Sequence, residues 1–338
     1  MEKLLTIAVP TYNIPDYIEK NIRSFQSIDN DYKNLFEVLI INDGSVDNTV
    51  QIVEELISKD LTLDIRLINK ENGGHGSAVN RGIEEAQGKY FKVIDGDDWV
   101  KKDVFQNFLE KLKELSVDMI ITDFTEIHTY NNTTVPIMGY DGVENQVITG
   151  IPTNRVSMHA VTFKTSILKD HSIKLTEKTF YVDIQYTLFP LPYVQDYLYL
   201  KMDLYQYLIG RPEQSMNVSS LIKNSMNHLT VTNSILNFYG TLQSDSSIKH
   251  VVETTLDYLI NMQVFISSLS DNRIVQLKSL LATVDRSSFN LRFGKGRNLL
   301  MLEWLNYKLH YKMDRFIKLL SERLATRRFK RLSTYNMR

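Results

Sequence analysis

The chain contains no cysteine. That excludes a disulfide framework and any thiolate chemistry, and it fits a reducing, cytoplasmic setting. It also lacks an apolar run long enough to cross a bilayer, which takes about 20 residues. The apolar stretch over 4–9 has neither a basic lead nor a cleavage site, so it reads as a strand and not as a leader. No Gly-rich loop follows that first strand. Pro10-Thr11-Tyr12-Asn13 stands there instead, which argues against nucleotidyl transfer on an α/β fold. Excess charge of one sign is missing too, with a net of −1, and no nucleic-acid partner is expected. The near-zero balance hides an asymmetry. From Arg292 to Arg338 there are 13 Lys/Arg against 3 Asp/Glu, or +10, leaving −11 over the rest. Such a tail points to an anionic partner.

The 338 residues, 43% hydrophobic and 23% charged, suit a globular protein with two or three domains' worth of core. Over the first 123 residues, strand and helix patterns alternate. Strands are expected over 4–9, 36–41, 64–68, 90–94 and 119–122. Helices are expected over 16–26, 47–58 (with Asp47 as N-cap), 77–86 and 103–115. This βα repetition implies a Rossmann-like, mostly parallel sheet flanked by helices. Ligands in such sheets sit beyond the carboxyl ends of the strands. The polar clusters of this chain fall at those ends: residues 10–13, 42–45, 69–76 and 95–98.

The most informative cluster is Asp95-Gly96-Asp97-Asp98-Trp99, at the end of the apolar run Tyr90-Phe91-Lys92-Val93-Ile94. Three carboxylates in four residues repel one another. They make sense around a hard divalent cation such as Mg²⁺, which takes oxygen ligands and shares its remaining positions with water and phosphates. The alternative is a polar turn in which Asp97 or Asp98 caps the next helix. Asp43, at a strand end before Gly44, can accept hydrogen bonds from a base or ribose, or can belong to an ordinary Asp-Gly turn. Tyr12 can stack on a base or pack as a core aromatic. Asn72-Gly73-Gly74-His75-Gly76 precedes a helix, so its N–H groups can approach a pyrophosphate or simply form a flexible turn.

Together these segments resemble glycosyltransferase family 2, the nucleotide-sugar transferases of the GT-A fold. The resemblance rests on Val9-Pro10-Thr11-Tyr12-Asn13, on Ile41 through Thr49, on Glu71-Asn72-Gly73-Gly74 through Asn80-Arg81-Gly82, and on Asp95-Gly96-Asp97-Asp98. It covers about the first third of the chain and continues more weakly to about Ser215. It implies a donor site formed by Pro10, Tyr12, Asn13, Asp43, Asn72, Gly73, Asp95 and Arg211, with Tyr12 and Asp43 on the uracil or equivalent base. It implies that Asp95 faces the nucleoside and that Asp97 holds Mg²⁺ or Mn²⁺ against the diphosphate. Many members carry Arg directly before the Asn matched by Asn80, where this chain has Val79; His75 or Arg81 would then supply the donor.

Inverting transfer needs a base for the acceptor hydroxyl. The family uses the Asp of a Glu-Asp pair; here Val182 replaces the Glu and Asp183 remains. The alternative role for Asp183 is a helix N-cap. The resemblance places Arg211 in a mobile segment that clamps the diphosphate, and it places His75, His159 and Gln214 as contacts to acceptor or diphosphate. It implies an inverting, metal-dependent transfer from a UDP-sugar to a hydroxyl of a cell-surface glycan or lipid-linked precursor. The absence of Gln-x-x-Arg-Trp and of membrane spans speaks against a processive synthase. The competing function is a catalytically silent nucleotide-sugar-binding or scaffold protein.

Domains are expected at 1–216 (nucleotide half to 123, acceptor half 124–216) and 217–338. The latter reads as helices over 217–242, 248–269 and 273–282, then one long helix. Leu302, Leu305, Leu309, Met313, Phe316, Leu320 and Leu324 form one stripe on it, flanked by Lys308, Lys312, Arg315, Lys318, Arg323, Arg327 and Arg328. A basic amphipathic helix of this kind suits peripheral contact with the inner face of the plasma membrane. It suits helix pairing in a homo-oligomer equally well.

Overall fold

The computed structural model describes residues 3–210, 218–243, 246–293 and 297–335. They fall into two compact units. The first comprises Met1–Pro152, Val156–Lys178 and Val182–Arg211; the second comprises Thr153–Arg155, Thr179–Tyr181 and Pro212–Arg338.

The first unit is built on one mixed sheet. Its strands are β1 (Leu5–Thr11), β2 (Phe36–Asn42), β3 (Ile65–Asn69), β4 (Tyr90–Val93), β5 (Trp99–Val100), β6 (Met119–His128), β7 (Thr133–Ile137), β8 (Val147–Thr149), β9 (Val161–Lys164) and β10 (Asp196–Ile209). The strand order is β3-β2-β1-β4-β9-β6-β10-β5. The β3-β2-β1-β4 half is parallel throughout. Beyond it, β9 runs antiparallel between β4 and β6, and β10 is parallel to β6. Every residue of β1 and β2 is buried, as expected of parallel strands covered on both faces. The covering helices show why. Ile18–Gln26 buries Ile18, Asn21, Ile22 and Phe25, and Lys102–Glu114 buries Phe105, Phe108, Leu109 and Leu112; both sets follow helical spacing. Phe25, Phe36 and Phe105 meet with ring centroids 5.0–6.4 Å apart.

The expected elements of the βα repeat are all present, with shifted ends. The helix expected over 47–58 runs Thr49–Lys59, and Asn48, not Asp47, stands at its N-cap. Asp47 still accepts the Thr49 N–H at 3.0 Å, so the carboxylate acts one residue further out. The strand expected over 119–122 continues to His128, because β10 pairs along its full length. The 14-residue β10 itself was not among the expected strands.

The second unit is helical. The segment expected as one helix over 217–242 is two, Val218–Lys223 and Ser225–Thr241, followed by Ser247–Ser267 and Arg273–Ser287. Its core contains a chain of polar groups. His228 bonds Gln263 at 2.7 Å, Gln263 donates to Ser267 at 2.8 Å and to Gln276 at 3.1 Å, and Gln276 donates to Ser225 at 2.9 Å. Burial pulls the His228 pKa down to about 4, so the imidazole is neutral and Nδ1 donates to the Gln263 carbonyl oxygen.

The expected single C-terminal helix is broken. Asn298–Lys308 and Asp314–Tyr335 are separate helices, with His310 (φ 51) and Tyr311 (φ 61) left-handed between them. The Tyr311 N–H donates to the Asn306 carbonyl and the His310 N–H to that of Tyr307, the pairing of a Schellman stop. The apolar spacing runs through this turn unchanged, so periodicity alone could not show it. Buried charge selects the break. Arg273 binds Glu303 through both oxygens at 2.6–3.0 Å and Asp314 at 2.7 Å, and Asn306 donates to Asp314 at 2.8 Å. Eight residues along a continuous helix rise about 12 Å, so Asn306 and Asp314 meet only across a turn.

Candidate active site

The acidic tetrad forms a locked loop between β4 and β5. Asp98 is fully buried. Its Oδ2 accepts the Tyr205 hydroxyl at 2.5 Å and its Oδ1 the Leu208 N–H at 2.7 Å, both from β10. The Tyr205 oxygen in turn accepts the Asp95 N–H at 3.1 Å. From the opposite side, the Asn21 amide donates to the carbonyls of Asp95 and Asp98 at 3.1 and 2.8 Å. Burial, then the charges of Asp97 and Asp95, push the Asp98 carboxyl well above its ordinary range; the Leu208 and Tyr205 hydrogen bonds pull against this. The capping alternative fails, since Lys101 occupies the N-cap of the next helix.

Asp95, Asp98 and His159 each offer a ligand atom, and these atoms lie within 4.8 Å of one another. Asp97 is outside this group but half-buried beside it. His159 is held by Ser157 at Nδ1 (2.9 Å), lies on the Tyr207 ring with centroids 4.0 Å apart, and meets the Tyr205 ring edge. Beneath it, the fully buried Lys92 donates to the carbonyls of His159 and Val161 at 2.8 and 3.2 Å. Burial lowers the Lys92 pKa to about 7.

At the ends of β1 and β2, the loops hold one another. Asn13 is left-handed (φ 48). It donates its N–H to Ser45 Oγ at 3.0 Å and accepts the Val46 N–H at 2.9 Å. Gly44 turns the chain with φ +76, where an added Cβ would also press on the Asn72 backbone at 3.0 Å. Asp43 is buried and accepts three hydrogen bonds: from Lys70 Nζ (2.6 Å), the Gly73 N–H (2.9 Å) and the Gly74 N–H (2.7 Å). The Asn72 side chain donates to the Asp43 carbonyl at 2.9 Å. The Gly73 and Gly74 N–H groups, which the sequence left open between phosphate donors and a flexible turn, point at Asp43 and fix the loop. Tyr12 stands nearly half exposed at the same edge, while Pro10 is buried in β1.

His75 opens the following helix and joins its Nε2 to Asp95 at 2.8 Å. Burial pulls its pKa down, but the charge and hydrogen bond of Asp95, with the charges of Asp183 and Asp97, outweigh this and raise it. Those three acids, together with Asp98, add to the burial that raises the Tyr207 pKa. Asp183, 86 residues beyond Asp97 in the chain, thus shares one electrostatic site with the tetrad. The intervening chain shows how. Asn80 clamps Leu175, donating to its carbonyl at 3.0 Å and accepting its N–H at 2.8 Å. Lys178 N–H donates to the Gly73 carbonyl. Gly76 lets the strap pass, since a Cβ there would lie 2.3 Å from the Thr176 carbonyl. Gln185 then grips Thr176 through N–H and hydroxyl at 2.8 Å each. That places the short helix Asp183–Leu188, whose N-cap is Val182 and not Asp183.

Of the two substitutes named for the family's Arg, His75 reaches the tetrad. Arg81 lies on the outer face of its helix, paired with Glu85 at 2.6 Å. Val79 is fully buried. Arg211 and Gln214 lie outside the described residues. Sequence reasoning missed Tyr205, Tyr207, Lys92 and Asn21. A lysine inside the buried run 90–94 was a visible signal. Tyr205 and Tyr207 lay in the unanticipated β10.

A glycosyl transferase family 2 model matches residues 6–170. The glycosyltransferase MG025 of Mycoplasma genitalium is 31% identical over 70% of this chain and 78% of its own length. EpsJ of Bacillus subtilis is 34% identical over 40% of this chain, and that match spans only 38% of EpsJ. Among solved structures, residues 1–349 of Staphylococcus aureus TarS with UDP-GlcNAc align with a TM-score of 0.66 at 18% identity, covering 97% of this chain and 92% of that one. The mannosyltransferase PcManGT of Pyrobaculum calidifontis, bound to GDP-Man and Mn²⁺, aligns at 0.55 and 14% identity, covering 96% and 86%.

Proposed function

The chain belongs to glycosyltransferase family 2 on a GT-A fold, and we propose that it is an inverting, divalent-cation-dependent glycosyltransferase. Its donor is a nucleoside-diphosphate sugar, UDP-linked on this reading. Its acceptor is a hydroxyl of a cell-surface glycan or lipid-linked precursor. The observation that carries the proposal is the acid cluster at the strand ends, where ligand atoms of Asp95, Asp98 and His159 lie within 4.8 Å of one another and Asp95 holds His75 at 2.8 Å. Asp183 adds to the upward shift of that same His75, which supports its reading as the base.

The chemistry divides between them. Asp183 takes the proton of the acceptor hydroxyl as its oxygen attacks the anomeric carbon. The bond from that carbon to the diphosphate oxygen breaks, and the anomeric centre inverts. The nucleoside diphosphate leaves with the bond's electron pair. Tyr12, Asn13 and Asp43 form the rim where the base and ribose rest, and Asp43 contributes by holding the loop around Gly73 and Gly74 in shape. His159, stacked on Tyr207, lines the acceptor side.

The donor set fits a hard cation, because clustered carboxylates repel without one. Asp97, with Asp95 beside it, would hold Mg²⁺ or Mn²⁺; both oxygens of Asp98 already serve Tyr205 and Leu208. Bound there, the ion would supply positive charge opposite the departing diphosphate. The binding of UDP-GlcNAc by TarS and of GDP-Man with Mn²⁺ by PcManGT supports this class of donor. Screening UDP-, GDP- and other nucleotide sugars for turnover, with and without Mn²⁺ or Mg²⁺, tests the assignment. Turnover of one donor that vanishes with chelator is the expected result. Metal-independent turnover would overturn the cation, and no turnover with any donor would favour a silent binding protein.

A further inference from the structure

The corner between the last two helices is built inside out. Its buried positions are Leu300, Glu303, Asn306, Ile317, Ser321 and Ala325, half of them polar. Its outward positions include Leu305, Leu309, Met313, Phe316 and Leu319, each 41–59% exposed. A helix pair folded only for its own stability would bury these side chains, since each carries on the order of 1.5–3 kcal/mol of burial free energy. Instead the inner face is committed to the Arg273–Glu303–Asp314 network, and the apolar face is left outside.

The charge along that face is mainly positive. Residues 305–319 contain Lys308, Lys312, Arg315 and Lys318 against a single acid, Asp314. Asp314 is turned inward to Arg273 and Asn306. Lys308 reaches Asp285 at 3.3 Å and Lys318 reaches Glu322 at 3.7 Å, exposed pairs that hold little energy. Among the described residues, no carboxylate lies within ion-pair distance of Lys312 or Arg315. The cations therefore ring an apolar knuckle set on a tight Schellman turn.

We propose that this knuckle is a peripheral membrane anchor that seats on an anionic lipid bilayer. Leu309, Met313 and Phe316 enter the interface, and Lys312 and Arg315 face the lipid phosphates. Apolar area plus basic residues is the combination that binds such surfaces. The complement is electrostatic as well as apolar: a second copy of this face would bring like charges together, whereas an anionic surface pairs with them. The inference is independent of the catalytic assignment.

The test is flotation of the full-length protein with vesicles of phosphatidylcholine alone or with 30 mol% phosphatidylglycerol, alongside light scattering. Binding to the anionic vesicles should exceed binding to neutral ones by tenfold or more at about 0.1 M salt, and should fall at 0.5 M as screening shortens. Leu309→Asp with Phe316→Asp should reduce it at least tenfold. Lys312→Gln with Arg315→Gln, a milder pair, should do the same and flatten the salt dependence, with circular dichroism showing native helix content. Equal binding to both vesicles, or none, overturns the proposal. So does a dimer that dissociates on Phe316→Asp without vesicle binding, which would assign the face to a second copy.

Discussion

The two units each gather acids at one place, and they treat them differently. In the helical unit, Glu303 and Asp314 share Arg273, a cation that does not titrate, and the network lies mostly buried. It is a closed structural joint. In the sheet unit, Asp95, Asp97 and Asp183 act together on His75, an imidazole whose charge depends on pH. Asp98 beneath them is buried and pushed toward its neutral form. A joint built for stability would use arginine there. Acids set at strand ends around a titratable partner suit a site that receives a cation and a diphosphate. The lesson is that burial of charge alone does not mark function; the kind of counter-charge does.

The largest effect is expected at Asp97. Asp97→Ala should lower donor turnover by on the order of 10³-fold, the scale of losing one transition-state stabiliser, while thermal melting stays near wild type. Turnover near normal with Mg²⁺ or Mn²⁺ would remove Asp97 from the cation site. Glu303→Ala should do the opposite. It leaves Arg273 buried without its bidentate partner and should cost about 3–5 kcal/mol, visible as a lower urea midpoint. An unfolding free energy within about 1 kcal/mol of wild type would show that the joint is not structural.

The two histidines are shifted in opposite directions. His228 has a folded pKa of about 4, below the unfolded value. Its neutral form stabilises the helical unit above about pH 6.5, and that contribution is lost as pH falls toward 4, amounting to about 3 kcal/mol. His75 is shifted upward. Its contribution is complete below about pH 6.5 and is lost as pH rises through the folded pKa. In chelator, His228→Gln should flatten the acid limb of stability, and His75→Gln should cost more at pH 6 than at pH 9. The same slope for both variants would contradict the two assignments.

Much of the sheet unit was legible in the sequence because each strand ends in a polar cluster. Pro10 to Asn13, Asn42 to Ser45 and Asp95 to Asp98 announce both the strand end and the site edge. The alternating pattern also locates the helices to within two residues. What stayed hidden depends on distant pairing. The Gly73 and Gly74 N–H groups look free for phosphate until Asp43 is seen to take them. Tyr205 and Tyr207 matter because β10 lies beside β6 and reaches back over the tetrad. In the tail, the three-four spacing from Leu302 to Leu324 survives a turn that contains neither glycine nor proline, so the pattern suggests one helix where buried Arg273 requires two. The exposed stripe was legible; that it belongs to a corner was not.

We propose Asp183, held by the strap from Leu175 to Gln185, as the base. The direct measurement is transfer rate and nucleoside-diphosphate affinity for Asp183→Asn beside wild type. Transfer should fall by about 10²–10⁴-fold, with the calorimetric Kd for the nucleotide unchanged. Transfer that persists, or affinity that falls in step with it, would give Asp183 a different role.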